Sequence, residues 1–456
     1  LEPIVPNNLE KSEKPKESEP SATVQSANAQ REVQDYQKNG LVKDIFGPEY
    51  SDKFTKSFLP DLIFTNTDVQ KSKEEPKSLS DIVRSNQSVF DSNNDGEISQ
   101  KELADSAANP NLDKNVAAAV VALTKNYDAL ANLTSQSIIY SETLTVADID
   151  EFCKIAKSSA RTDEQTELME SVNGAVQQTV FQTDNVNQDL FGPNKEISPK
   201  AVQQGGVGNC SFMATLAGMA STPAGRESIS QMIKPDGDGY VVTFPNGDTT
   251  RVEKPTPAEL TLYAGNNGNG IWPAVLEKAY GKLLAEKHNK DVNAPQLAAD
   301  GCEKYMPLNT LTGETRCLQT IEPSKMDEEQ LHEELEKMSF NPMVMTAATG
   351  PNVDRMVAAK NTPMAEQVDE QGNPIAGSDP LPISGFHVYS VEKYDLQTRS
   401  VYLRNPHDGT QLLKMPLSTY RQAFVAMNSV NDDRLMDRQN KYEEVKRPGD
   451  KRPSLA

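Results

Sequence analysis

Apolar residues recur at helical spacing over most of the first half of the chain after residue 78. SLSDIVRSNQSVF is followed by a polar loop and then by ISQKELADSAA. After Pro110 comes the Ala-rich stretch Leu112 to Leu133, read as one long helix or two closely joined. LTVADIDEFCKIAKSSA and DEQTELMESVNGAVQQTVF predict two more helices. Thr145 or Thr143 is placed to cap the first and Thr162 the second. Near residue 188 the pattern changes. YVVTF and TTRVE alternate at strand period around Asn246-Gly247 and predict a hairpin. IWPAVLEKAYGKLLAEK over 271–287 predicts an amphipathic helix. SGFHVYSVEKYD and RSVYLRNPHDG, turning near Leu396, predict two paired strands.

Four segments follow: a polar leader with short helical pieces (1–78), a helical region (79–187), a mixed α and β core (188–430) and a charged tail (431–456). With 46 basic and 66 acidic residues the net charge is −20, which argues against a broad nucleic-acid surface. No apolar run reaches the length of a membrane span, so no stable membrane insertion is expected. The chain starts without Met, which leaves a cytoplasmic or an exported location open, and oligomeric state has no signature. Four cysteines and four histidines, with no CxxC pair, exclude a disulfide scaffold and a zinc site. Cys153 reads as core, Cys302 and Cys317 as buried spacers, Trp272 as core, and His288 and His332 as exposed helix residues.

The loop DSNNDGEISQKE over 91–102 offers oxygens from Asp91, Asn93 and Asp95, a backbone carbonyl at Glu97 and a carboxylate at Glu102. Gly96 permits the turn and Ile98 points inward. Hard oxygens at this spacing suit a hard cation, and the loop resembles the EF-hand family. Ca2+ is therefore the expected ion, in a structural or regulatory role. The second loop of the pair, entering SETLTVADIDEF with Leu144 as the small strand's central apolar residue, lacks the ligand series. It is expected to be a structural partner only.

QGGVGNC over 204–210 sets a thiol at the start of an apolar helix, where backbone N–H groups and the helix dipole favour thiolate. Gln204 can fold back so that its amide and the Cys210 N–H form an oxyanion hole. In the predicted strand pair, with its turn at Leu396, His387 faces Asn405, which would orient the imidazole for a Cys-His-Asn constellation.

Together with DLFG…IS over 189–198, the Trp-containing helix and LTGETR over 311–316, these motifs make residues 188–430 resemble the calpain family of papain-fold cysteine proteases. The resemblance implies an α+β fold: a papain-like two-subdomain cysteine protease core behind an N-terminal all-α EF-hand-like region. It implies a cysteine endopeptidase acting on protein or peptide substrates. Cys210 would be the nucleophile, Gln204 the oxyanion donor, His387 the general base and Asn405 its orienting partner. Calcium regulation and autoprocessing of a zymogen, with residues before the core as an inhibitory propeptide, are further expectations. An inactive protease-fold calcium-responsive binding protein and an acyltransferase using the same triad are the alternatives. The chain departs from the family at Asn209 (usually Asp), Ser211 (usually a bulky aromatic) and His407 (usually a Trp shielding the His-Asn pair). The last departure predicts a wetter, weaker His-Asn hydrogen bond.

Overall fold

A computed structural model describes residues 77–134, 143–185, 189–265, 268–288, 296, 299, 306–313, 318–339 and 342–431, all within one compact unit. Cys302, Cys317, part of LTGETR, nearly all of the leader and the tail beyond 431 lie outside the described residues.

The helical region opens with α1 (Leu79–Ser85), fixed by a capping box between Ser78 and Asp81, and α2 (Gln87–Phe90). The polar loop then enters β1 (Glu97–Ile98) and α3 (Gln100–Ala107), capped reciprocally by Ser99 and Glu102. The Ala-rich stretch forms two helices, α4 (Lys114–Lys125) and α5 (Tyr127–Ala131). Asn126 divides them: its backbone leaves helical geometry while its side-chain amide donates back to the Ala122 carbonyl. After β2 (Leu144–Thr145) come α6 (Val146–Lys157), capped by Thr145 rather than Thr143, and α7 (Asp163–Asn185). The Gln165 N–H donates to Thr162 Oγ1, so the second cap also stands where expected. Ile98 and Leu144 face each other in the antiparallel β1–β2 pair, and both are fully buried. The Tyr127 hydroxyl joins the two, donating to the Ile98 carbonyl and accepting from the Leu144 N–H.

The core begins with α8 (Cys210–Ser221) and α9 (Pro223–Met232), then the antiparallel sheet β3 (Ile233–Asp236), β4 (Gly239–Thr243) and β5 (Thr249–Glu253). Gly247, at φ +92, turns the predicted hairpin. Next come α10 (Pro257–Leu262), α11 (Trp272–Lys287) and α12 (Met306–Thr312). The expectation of an amphipathic α11 fails: it is buried on nearly every side from Trp272 to Ala285, because β4 and β5, α8 and the flanking loops enclose it. Trp272 is core, as read from sequence.

The second half is built on one antiparallel sheet. Its strands are β6 (Leu318–Ile321), β7 (Pro342–Thr349), β8 (Met364–Val368), β9 (Leu381–Pro382), β10 (Val388–Asp395), β11 (Ser400–Arg404), β12 (Leu412–Pro416) and β13 (Phe424–Asn431). The order is β6-β13-β7-β10-β11-β12-β8-β9. Helices α13 (Glu328–Met338), α14 (Pro351–Ala358) and α15 (Leu417–Ala423) complete this half. Helix α8 packs directly on β7 and β10, which brings its N-terminus to the end of the sheet. His332, expected to be exposed, is instead half-buried, with Nδ1 2.6 Å from the Tyr394 hydroxyl.

A single apolar cluster runs from Leu79 through the helices into α8, α10 and α11. Helices α4 and α7 both pack on α10, and Thr256 Oγ1 donates to the Ala107 carbonyl at the end of α3 over 2.6 Å. The same hydroxyl accepts from the Glu259 N–H and caps α10. Thr256→Ala removes both bonds and leaves a buried carbonyl unpaired, at a cost of about 1–3 kcal/mol. The urea midpoint is expected to fall with an unchanged slope; an unchanged midpoint would contradict this role.

Candidate active site

The loop from Val202 to Asn209 is tied down on two sides. The Gln204 N–H donates to the Pro406 carbonyl (2.7 Å), and the Gly409 N–H donates to Val202 (2.9 Å). On the other side the Gly206 N–H donates to Leu262 and the Gly265 N–H to Gln203. A Cβ on Gly205 would stand 2.1 Å from the Tyr263 carbonyl oxygen, so only glycine permits this approach.

Cys210 is the first residue of α8 and half-buried, in a helix whose next ten residues are buried. Neither it nor Cys153, which is core as expected, forms a disulfide. Asn209, fully buried, precedes the thiol without capping the helix through its side chain. Its amide donates to Glu277 Oε1 (2.8 Å), and Glu277 Oε2 accepts from the Ala264 N–H (2.9 Å). An Asn suits this contact because an Asp would set two carboxylates together out of water. Glu277 lies on α11 and was not singled out by sequence reasoning. The sequence reads Glu277 as part of the polar face of an amphipathic helix, so no signal in it pointed to this residue. Burial pushes its carboxyl up to about 7, against the amide and Asn209 hydrogen bonds that lower it.

Gln204 is buried, and its Nε2 donates to the Val207 carbonyl (2.8 Å). Such a nitrogen carries two hydrogens, so a second remains for another acceptor.

His387 immediately precedes β10 and Asn405 immediately follows β11. Their strands pair with Ser390 opposite Arg404, and a bulge separates the Val391 and Lys393 pairs. The turn therefore lies beyond Leu396, and the direct facing of His387 and Asn405 predicted from a symmetric turn is incorrect by two positions. A shift of two keeps both side chains on one face, so they still meet diagonally. His387 Nε2 is 2.9 Å from Asn405 Oδ1. The His407 N–H also donates to that oxygen (3.1 Å), which fixes it as an acceptor and makes His387 Nε2 the N–H donor. Nδ1 is then the nitrogen with a lone pair.

The register carries His407 to the place opposite His387. The two imidazoles stack, with centroids 4.8 Å apart and planes within 7°. The expectation of a wet His-Asn bond is thus overturned: His387 is 6% exposed, and His407 covers one face of its ring while Tyr389 meets it edge-on. Burial, reinforced by His407, pushes the His387 imidazole down to about 3 despite the Asn405 hydrogen bond. Burial lowers His407 as well. Arg404, 1% exposed, pairs with Glu392 and Glu370 and donates to the Gly409 carbonyl, bracing the loop that carries Asn405 and His407.

The acidic loop stands apart. Asp91 (5% exposed) accepts from the Asp95 and Gly96 N–H groups, and Gly96 has φ +87. The Asn93 and Asp95 side chains are 2.8 Å apart and both accept loop N–H groups. Glu102 (7% exposed) accepts from the Ser92 and Asn93 N–H groups on one oxygen and from Ser99 on the other, and these bonds lower its pKa against burial. Glu97 leads into β1. Among the described residues no three His, Cys, Asp or Glu side chains converge as a metal-binding group.

Between about pH 4.5 and 7 the unfolded chain has released the Glu277 proton while the folded chain retains it. The contribution of Glu277 to stability therefore falls by up to about 3 kcal/mol as pH rises through this window and then levels off. His387, held neutral by burial, contributes with the opposite sign below about pH 6.5. Urea titrations across pH 4.5–8 should show the stability of the parent minus that of Glu277→Gln falling with pH up to about 7; a difference that stays constant would contradict it.

The family model for calpain family cysteine proteases matches residues 182–411, half of the chain. No curated protein matches it. The matched span begins in α7, covers every residue of the thiol, imidazole and amide arrangement, and ends with the loop that joins Asn405 to β12. The chain belongs to the calpain family of cysteine proteases.

Proposed function

We propose that this protein is a calpain-like cysteine endopeptidase working through Cys210, His387 and Asn405, with Gln204 as oxyanion donor. The observation that carries this reading is the hydrogen bond between the buried His387 and Asn405, which fixes the tautomer that leaves Nδ1 as a base. Burial disfavours an imidazolium at rest, so the proton moves as the bond forms. His387 takes the Cys210 proton as sulfur attacks the scissile carbonyl. The second Gln204 hydrogen and the Cys210 N–H receive the oxyanion, and His387 returns the proton to the leaving amine. Water, deprotonated by the same imidazole, then releases the acid from the thioester and restores the thiol.

Cys210→Ala should abolish cleavage of a denatured protein substrate, and Asn405→Ala should lower kcat on the order of 10²-fold. Undiminished activity in Cys210→Ala would contradict the assignment. Replacing His407 by Phe keeps a flat ring but removes the imidazole neighbour that lowers His387. The acid limb of kcat/KM should move to higher pH; no movement would contradict the coupling.

Calcium regulation forms part of the same reading. The donor set of the 91–102 loop is wholly oxygen, with two buried carboxylates directed into a turn closed by Gly96, and this chemistry fits a hard cation. Asp91, Asn93, Asp95, the Glu97 carbonyl and Glu102 would hold it. A bound Ca2+ would draw the loop's carboxylates together, neutralise them and join the end of α2 to the start of α3. Millimolar calcium is expected to raise Tm by a few degrees in the parent and not in Glu102→Gln. Equal shifts in both would contradict the site. The same reading puts autoprocessing in the leader, 1–78, and is supported by the helices of 79–187 sharing the apolar core of α8, α10 and α11.

A further inference from the structure

The residue before the base is unusual in two ways. Phe386 has φ +48, a left-handed conformation that a side chain with a Cβ resists. It is also 70% exposed, more than any other large apolar side chain among the described residues. A bulky aromatic held in strained backbone and presented to water contributes nothing to the core, so the fold alone gives no reason for it.

The conformation is imposed from both sides. Thr349 Oγ1 donates to the Ser384 carbonyl (2.8 Å) and accepts from the His387 N–H (2.9 Å). The Thr349 N–H donates to the His387 carbonyl (2.9 Å), and the Ser384 N–H donates to the Tyr389 hydroxyl (2.9 Å). These bonds fix the backbone at 384 and 387 and leave Phe386 at the apex between them. Consecutive Cα atoms are about 3.8 Å apart, so the ring is rooted beside the imidazole.

Chemistry then names what meets it. His387 must reach the leaving amine, so the substrate residue carrying that amine passes within a hydrogen bond of the imidazole. Its side chain is the part of the substrate nearest the residue adjoining the base. We infer that Phe386 is a specificity residue that packs against an apolar side chain on the substrate residue immediately after the scissile bond. The inference rests on the assignment of His387 as the base. The strain is maintained because the exposed ring gains its partner only when substrate is bound.

The test compares two peptides that differ only in having leucine or glycine at that substrate position. For the parent, kcat/KM should favour leucine by about tenfold, the scale of one partly buried aliphatic side chain. In Phe386→Ala the ratio should fall close to one, and Phe386→Tyr should restore it. Phe386→Gly, which suits the positive φ, should melt above the parent while losing the preference, separating specificity from folding. A leucine preference that survives in Phe386→Ala and Phe386→Gly would overturn the inference. A parent that cleaves neither peptide would overturn the protease reading itself, a result distinguishable from the first.

Discussion

The arrangement depends on the short backbone run from Val202 to Asn209, which is hydrogen-bonded to both halves of the core. The Gln204 N–H and Val202 carbonyl bind the loop that carries Asn405 and His407. Gly206 binds the last residue of α10, and Gln203 binds the segment after it. The thiol and the imidazole come from different halves, and angstrom-scale placement between them requires such a seam. Amide hydrogen bonds in this seam are directional, and those at Val202 and Gln204 lie at buried residues, so opening the cleft would leave these unpaired. Gly205 is the steric condition for the seam, and Asn209 with Glu277 anchors its end immediately before the thiol.

The helical region is joined to the same structure through α10. Thr256 bonds to the end of α3 and caps α10, and Glu259 in that cap is paired with Lys278 in a buried contact beside Glu277. A change in the 91–102 loop would act on α3, whose last carbonyl receives Thr256. Between that loop and the residue before the thiol lie α3, the α10 cap, the Glu259–Lys278 pair and the Glu277–Asn209 hydrogen bond. A buried ion pair adds little net stability but fixes geometry well.

Much of this was legible in the sequence, because the relevant signals are local. The caps at Thr145 and Thr162, the Ile98–Leu144 pairing and the core position of Trp272 follow from spacing and residue type. Turn geometry was less legible. A symmetric hairpin puts Asn405 opposite His387, whereas the bulge in β10 and the longer turn carry His407 there, where it shields the pair. Burial of α11 on nearly every side could not be read from its pattern, since polar side chains such as Glu277 and Lys278 look exposed until their buried partners are known. The positive φ of Phe386 depends on Thr349, far away in sequence.

Central to the account is a thiol made nucleophilic by an oriented, desolvated imidazole. Its most direct test is the alkylation rate of Cys210 near pH 6, resolved by peptide mapping, in the parent and in Asn405→Ala. Cys210 should react at least about a hundredfold faster than the core thiol Cys153, and loss of Asn405 should slow it severalfold or more. A Cys210 that reacts no faster than Cys153, at a rate indifferent to Asn405, would contradict it.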